Sequence, residues 1–368
     1  MSDRLVVAAI QANPTVGDIA GNESLARSLL TEATAKGADL AVFSELFLIG
    51  YPPEDLALKP AAVRACQDAL IRLAADTKTG CAALITLLWP GPEGRPHNAV
   101  ALLAEGEVRG LGFKMDLPNY GVFDEKRIFA PGATPGLFDL GGIRLGVPIC
   151  EDIWGPEPCR QLKAAGAEIL IVPNGSPFRR TADEERTAVA KARVAETGLP
   201  LIYVNQVGGQ DELVFDGGSF ALQADGDLCM SLPTFESAVA LVTWRRQTSG
   251  WRCLEAPTSA WPSGPEESYR AMVLGLRDYV TKTGFPGVIL GLSGGVDSAL
   301  SLVVAADALG PDRVRAVMLP SKYTSAESLE DAAAGAAAVG VRLDDIPISP
   351  AVDAFDEMLA DEFEGLAP

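Results

Sequence analysis

Gly146-Val147-Pro148-Ile149-Cys150-Glu151-Asp152-Ile153-Trp154 is a short apolar run that stops at a thiol followed by two carboxylates. With Ile143 and Leu145 ahead of it, the run has the length and composition of a buried strand. A strand that ends so abruptly delivers Cys150 to a sheet edge, where strand becomes turn. A thiol there acts as a nucleophile when one neighbour takes its proton and another holds a developing oxyanion. An inert core cysteine is the rival reading, since cysteine is among the most buried residue types. The rest of the chain decides between them.

Composition narrows the choice. His97, in Gly94-Arg95-Pro96-His97-Asn98, is the one histidine, so a carboxylate is the expected base for Cys150 and metal sites built on several histidines are excluded. The six cysteines form no CxxC pair, against both a zinc site and a disulfide framework. A net charge of −19 without clustered Lys or Arg excludes a nucleic-acid partner. The N-terminus begins directly with the strand-length run Arg4 to Ile10, and no stretch reads as a signal or membrane span, so a cytoplasmic protein without membrane contact is expected. At 368 residues two domains are expected.

Upstream of Cys150, Arg4 to Ala12 reads as a strand buried on both faces, and Asn22 to Lys36 as a helix closed by Gly37. The next strand, Ala38 to Phe43, exits into Ser44-Glu45-Leu46, placing a carboxylate at a strand end among apolar side chains, where it suits a general base. A capping or surface acid is the alternative for Glu45. Helix Ala61 to Lys78 and strands Ala82 to Leu88 and Asn98 to Leu103 follow, then the turn Glu105-Gly106-Glu107. Lys114 lies within the apolar run after Val108, where a paired lysine is expected rather than a solvated one.

Downstream, a helix around Cys159 to Ala165 precedes the strand Ala167 to Val172, which ends in Pro173-Asn174-Gly175-Ser176-Pro177-Phe178. Helix Ala182 to Thr197 and strand Leu201 to Asn205 repeat the rhythm, and later strands are expected near Phe215 to Ser219 and over Ala238 to Trp244. Strands alternating with helices, with polar residues at the strand exits, imply sheets covered by helices and a site along one edge.

Gln247 to Pro265, rich in Ser, Thr, Gly and Pro, reads as a linker between domains at 1–246 and 266–368. Beyond a helix over Glu266 to Lys282, the strand Val288 to Leu292 runs into Ser293-Gly294-Gly295-Val296-Asp297-Ser298. A glycine-rich turn feeding a helix binds phosphate through backbone N–H groups and the helix dipole. The loop lacks the Lys-Ser/Thr ending of a Walker sequence and the spacing of a dinucleotide fingerprint. A plain tight turn is the alternative.

Phe43-Ser44-Glu45, Phe113-Lys114 and Ile149-Cys150-Glu151-Asp152, in that order, resemble the three signatures of the nitrilase superfamily of carbon-nitrogen hydrolases over about residues 1 to 245. The resemblance implies an α-β-β-α sandwich in which Cys150 attacks a carbonyl, Glu45 shuttles the proton, Lys114 holds the oxyanion and Glu125 orients the pair. It implies glutamine-binding positions at Tyr120, Glu151, Ser176 and Phe178. A basic residue is implied six beyond Ser176; that position is Ala182, with Arg179 or Arg180 as substitutes.

The second segment resembles the ATP-pyrophosphatase class, whose SGGxDS loop is present without mismatch. That implies an α/β domain with a Rossmann-like parallel sheet, incomplete here, and ATP contacts at Gly291, Leu292, Ser293, Gly294, Gly295, Val296, Asp297, Ser298, Leu319 and Ser321. Asp297 and Ser298 are the implied groups for Mg2+ carried with ATP; no permanently bound cofactor is expected. An amidase fused ahead of such a loop is similar to the glutamine-dependent NAD synthetases. The implied partners are glutamine, ATP and deamido-NAD, in a homo-oligomer with a conduit for ammonia. The chain stops about a hundred residues past the linker, so a truncated synthetase that keeps glutaminase chemistry without completing amidation is expected. The alternatives are a stand-alone amidase with a remnant ATP-binding segment and a non-enzymatic nucleotide-sensing module.

Overall fold

A computed structural model describes residues 3 to 365, which fall into two compact units divided between Ala271 and Met272. The first unit holds two sheets. Its strands are β1 (Arg4–Gln11), β2 (Leu40–Val42), β3 (Ala82–Trp89), β4 (His97–Ala104), β5 (Glu107–Phe113), β6 (Gly136–Leu140), β7 (Ile143–Val147) and β8 (Ile169–Asn174). They continue as β9 (Leu201–Asn205), β10 (Val207–Gln210), β11 (Leu213–Asp216), β12 (Phe220–Leu222), β13 (Leu228–Ser231), β14 (Ala238–Gln247) and β15 (Gly250–Glu255). One sheet runs β15-β14-β1-β2-β3-β4-β5 and the other β13-β12-β9-β8-β7-β6, with β10 and β11 as a separate ribbon.

Alternation along the strands makes this a four-layer body. In β1, Leu5 and Val7 join Leu145 and Ile171 in an apolar layer between the sheets. Ala8 and Ile10 face the opposite way, onto Leu30 of α1 (Ile19–Ala35) and Leu73 of α2 (Pro60–Asp76). On the far side, after the single turn α3 (Glu125–Ile128), Leu162 of α4 (Glu157–Ala164) and Val194 of α5 (Ala182–Thr197) cover Val172 and Tyr203. Strands buried on both faces read as unbroken apolar runs, as expected for β1 and found again in β2 and β9. The tight turn between β4 and β5 takes positive φ at Glu105 and Gly106 (53° and 86°), matching the twist of the flanking strands.

The stretch expected as a linker is largely structured. β15 pairs antiparallel with β14 as an edge strand and buries Trp251 and Cys253 while exposing Arg252 and Leu254. Trp261 Nε1 then donates to the Leu232 carbonyl (2.7 Å). Turn-forming residues on either side mask a strand with only two inward side chains.

The second unit follows α6 (Pro265–Lys282), which crosses the division. It is a parallel sheet ordered β16 (Val288–Gly291), β17 (Val314–Met318), β18 (Arg342–Asp345). Leu302 of α7 (Val296–Leu309) and Ala336 of α8 (Ala326–Ala338) pack on Ala316, and α9 (Ser349–Leu359) follows β18. This is the parallel-sheet arrangement expected of that segment. No helix among the described residues is long and apolar enough to cross a membrane.

Candidate active site

Three strand exits in the first unit converge. β2 leads to Glu45, β5 to Lys114 and β7 to Cys150, while β8 leads to Gly175 and Ser176. Glu45 and Lys114 are fully buried, and Glu125 is 4% exposed. Lys114 Nζ donates to Glu45 Oε1 (2.7 Å) and to Glu125 Oε2 (2.8 Å). Glu45 Oε1 also accepts from Asn98 Nδ2 (2.7 Å), and its Oε2 accepts from the Gly175 N–H (3.1 Å), which ties one sheet to the other. Tyr51 Oη donates to Glu125 Oε1 (2.8 Å).

Burial works against every charge in this cluster, and the neighbours decide the outcome. Desolvation works to lower the Lys114 pKa, but the Glu125 and Glu45 carboxylates reverse this and hold the ammonium well above the ordinary lysine range. Burial pushes the Glu125 carboxyl up to about 7, with Lys114 pulling it down and Glu45 adding to the rise. The Cys150 thiol is raised well above 9.0 by burial and then by the Glu45 charge, with Lys114 opposing. The thiol is therefore protonated at rest and requires a base at the moment of attack.

Cys150 opens a short 3-10 turn, Cys150–Ile153, with φ +46°. A side chain in that left-handed region is strained and is held only when its surroundings over-determine it. Asp152 does this. Its Oδ2 accepts from the Ile149 N–H (2.9 Å) and its Oδ1 from those of Met115 and Asp116 (2.9 and 2.8 Å), clamping the turn to the segment after Lys114. Burial pushes Asp152 up to about 7 against the pull of these donors. In the sequence this part of Asp152 leaves one signal, a carboxylate two residues after a strand-end thiol.

Cys150 lines a cavity of about 180 Å³ together with Tyr120, Glu151, Ser176, Phe178 and Arg179. All four expected glutamine-binding positions are thus brought to the thiol. Tyr120 Oη donates to the Glu151 carboxylate (3.0 Å), whose pKa burial raises. Of the two arginines weighed as substitutes for a basic residue at 182, Arg179 reaches the lining and Arg180 is not part of it. Ala182 is buried at the start of α5. Arg186, one turn further along α5, donates from Nε to Ser176 Oγ (3.0 Å) and was missed, because an arginine directly after the acidic first turn of a helix reads as a surface residue.

His97, Cys66 and Cys159 take packing positions. His97 opens β4 and stacks on Phe113 at 4.5 Å. Burial pushes the thiols of Cys66 and Cys159 up to about 12, as for inert core residues.

In the second unit, β16 runs into Leu292 and Ser293, and α7 starts behind the cap residue Gly295. Ser298 Oγ donates to the Gly295 carbonyl (2.9 Å) and accepts from the Ser293 N–H (3.2 Å), while Ser293 Oγ accepts from the Gly295 N–H (3.3 Å). Gly294 has φ +80°, and a Cβ there would lie 2.3 Å from the Ser328 carbonyl oxygen. Gly291, Leu292, Ser293 and Leu319 line a cavity of about 390 Å³ with Thr324 and Ser328. The other expected ATP positions, Gly294, Gly295, Val296, Asp297 and Ser298, form the loop and first turn of α7, and Ser321 follows β17, its N–H donating to Thr324 Oγ1 (3.0 Å). Of the two groups expected to face magnesium, the Ser298 hydroxyl closes the loop, leaving Asp297 exposed at the helix start. Among the described residues no cluster of three or more His, Cys, Asp or Glu forms a metal cage.

Residues 6–251 match the Carbon-nitrogen hydrolase family and residues 268–367 the NAD synthase family. The chain is 48% identical to the glutamine-dependent NAD(+) synthetase of Rhodobacter capsulatus, over 100% of its own length and 66% of the relative's. Among solved structures, the glutamine-dependent NAD+ synthetase of Acinetobacter baumannii in complex with ADP superposes with a TM-score of 0.92 at 38% identity, over 99% of this chain and 69% of that one. A mutant amidase from Nesterenkonia sp. AN1, carrying the acetamide moiety of fluoroacetamide at its active site cysteine, gives 0.60 at 28% identity over 66% of this chain and 90% of its own. This chain spans about two thirds of the length of the synthetases it matches.

Proposed function

Because this chain belongs to the carbon-nitrogen hydrolase family and to the family of glutamine-dependent NAD(+) synthetases, we propose that it hydrolyses glutamine at Cys150 and supplies the ammonia for ATP-dependent amidation of deamido-NAD. The observation that carries the first half is the buried cluster of one thiol, one ammonium and two carboxylates beside a small cavity.

In this reading Glu45 takes the Cys150 proton as sulfur attacks the side-chain carbonyl of glutamine. Two of the three Lys114 donors lie on carboxylates, and the third faces the developing oxyanion. Collapse expels ammonia, which takes the proton from Glu45 and leaves a thioester; water deprotonated by Glu45 then releases glutamate. Glu125 keeps Lys114 oriented and charged. Glu151 and Tyr120 face the α-ammonium end of glutamine, and Ser176 and Phe178 form the opposite wall.

In the second unit the loop from Ser293 to Ser298 holds the phosphates of ATP, whose magnesium arrives with the nucleotide and meets Asp297. Magnesium held this way keeps most of its ligands as water and phosphate, which suits a loop with one exposed carboxylate. The nicotinate carboxylate of deamido-NAD attacks the α-phosphorus, pyrophosphate leaves, and ammonia displaces AMP from the acyl adenylate. We further expect a cytoplasmic homo-oligomer, which light scattering and cell fractionation test.

The deciding experiment for the first step is treatment of the full chain with a diazoketone analogue of glutamine, followed by peptide mass analysis. An adduct on Cys150, with loss of glutamate release in Cys150→Ala, is the expected result. Glutamine turnover that survives Cys150→Ala would overturn the assignment.

A further inference from the structure

The cavity wall opposite Tyr120 is not held by its own segment. Ser176 and Pro177 follow β8, and their polar groups lead to two buried side chains, Asn205 and, with more contacts, Arg186. Arg186 is 4% exposed. Its Nη2 donates to the carbonyls of Ser176 (2.8 Å) and Pro177 (2.9 Å), and its Nε to Ser176 Oγ (3.0 Å). The remaining contacts run to Asp216 at the end of β11, from Nη1 to Oδ2 (2.8 Å) and from Nη2 to Oδ1 (2.9 Å). Asp216 is 3% exposed. The Ser176 N–H donates in addition to Asn205 Oδ1 (3.0 Å).

A guanidinium leaves water only when its planar fork is filled, and here a two-pronged carboxylate and a row of carbonyls fill it. Such a group has one geometry, so what it touches has one geometry too. Burial opposes its charge and Asp216 restores it, so the contact persists across the working pH range. With Ala182 apolar where the resemblance implies a basic residue, the cation in contact with Ser176 is Arg186.

We infer that Arg186, anchored by Asp216, is the positioning residue that sets the Ser176–Pro177 wall for recognition of the amino-acid end of glutamine. This rests on the reading that the Cys150 cavity takes glutamine. Arg186 does not touch Cys150, so attack on a reagent lacking the amino-acid end is expected to be indifferent to it.

The test compares two reagents at Cys150 in the full chain, a diazoketone analogue of glutamine and iodoacetamide, each followed by mass analysis of the Cys150 peptide. In Arg186→Lys, which keeps the charge but loses the fork, the diazoketone rate constant is expected to fall about tenfold or more, the loss of one to two hydrogen bonds. Iodoacetamide labelling should stay within about twofold, and the rise in KM for glutamine should outrun any fall in kcat. Because a broken buried pair destabilises, the double variant Arg186→Met, Asp216→Leu is the second arm; an apolar pair of similar volume keeps the fold while removing the anchor. It is expected to show the same split. Equal losses with both reagents in both variants, or no loss with either, overturns the inference. Absence of diazoketone labelling in the parent chain would instead overturn the glutamine reading on which it rests.

Discussion

Lys114 and Glu45, 69 residues apart in sequence, meet at 2.7 Å with neither side chain reaching solvent. The ammonium also faces Glu125, so one cation neutralises two buried carboxylates. Replacing Lys114 by Met leaves both acids without a counter-charge, which destabilises by about 3–5 kcal/mol. Equilibrium urea unfolding of Lys114→Met measures this. A midpoint equal to that of the parent would mean that the cluster adjusts its protonation at negligible cost.

Glu45→Gln keeps a carbonyl oxygen for Asn98 or Lys114 but removes the group that takes the thiol proton. Since burial, the largest cause raising the Cys150 thiol, persists in the variant, its alkylation by iodoacetamide without this base should slow by about 10²-fold or more. The residual rate should climb as alkali ionises the thiol. An unchanged rate at neutral pH excludes Glu45 as the base.

The raised carboxyl of Glu125 makes stability depend on pH. Its value goes from the ordinary 4.5 to about 7 on folding, so between those values the folded state holds a proton that the unfolded chain has lost. The contribution of Glu125 is complete below about pH 4.5 and disappears as pH rises through about 7, with a slope of at most about 1.4 kcal/mol per pH unit. Asp152 contributes with the same sign. Denaturant unfolding of Glu125→Gln across pH 4 to 8 should show a shallower decline than the parent; an identical slope would assign the whole effect to other groups.

Gly294→Ala addresses the second unit. The left-handed backbone and the 2.3 Å approach to the Ser328 carbonyl leave no place for a methyl group. The loop must shift, and affinity for ATP should fall about tenfold or more while the unit remains folded. Titration calorimetry with MgATP reads this directly. Binding at parental affinity would show that the loop N–H groups do not hold the phosphates.

Much of this was legible locally. Helix Ala182 to Thr197 and strand Leu201 to Asn205 have the expected bounds, and Gly198 caps the helix in the left-handed conformation. Cys150, Glu45 and Lys114 stood out because each interrupts or ends an apolar run. Strands β6, β15 and β18 escaped, since four to six residues with at most two buried positions carry too little pattern to separate from turns. Arg186 escaped for a different reason: a residue in contact with solvent and one in contact with Asp216, 30 positions away, look alike on a helix.

By itself the sequence determined the alternation of strands and helices, the two-unit plan and the chemical character of each strand end, because these depend on side chains within a few positions of one another. Only the tertiary structure decided which of those ends meet, that Asp152 fastens the thiol turn to the lysine segment, and that a buried ion pair on α5 and β11 shapes the cavity. Those relations join residues tens of positions apart, and their energies come from the loss of water when sheets close on each other, which no local pattern records.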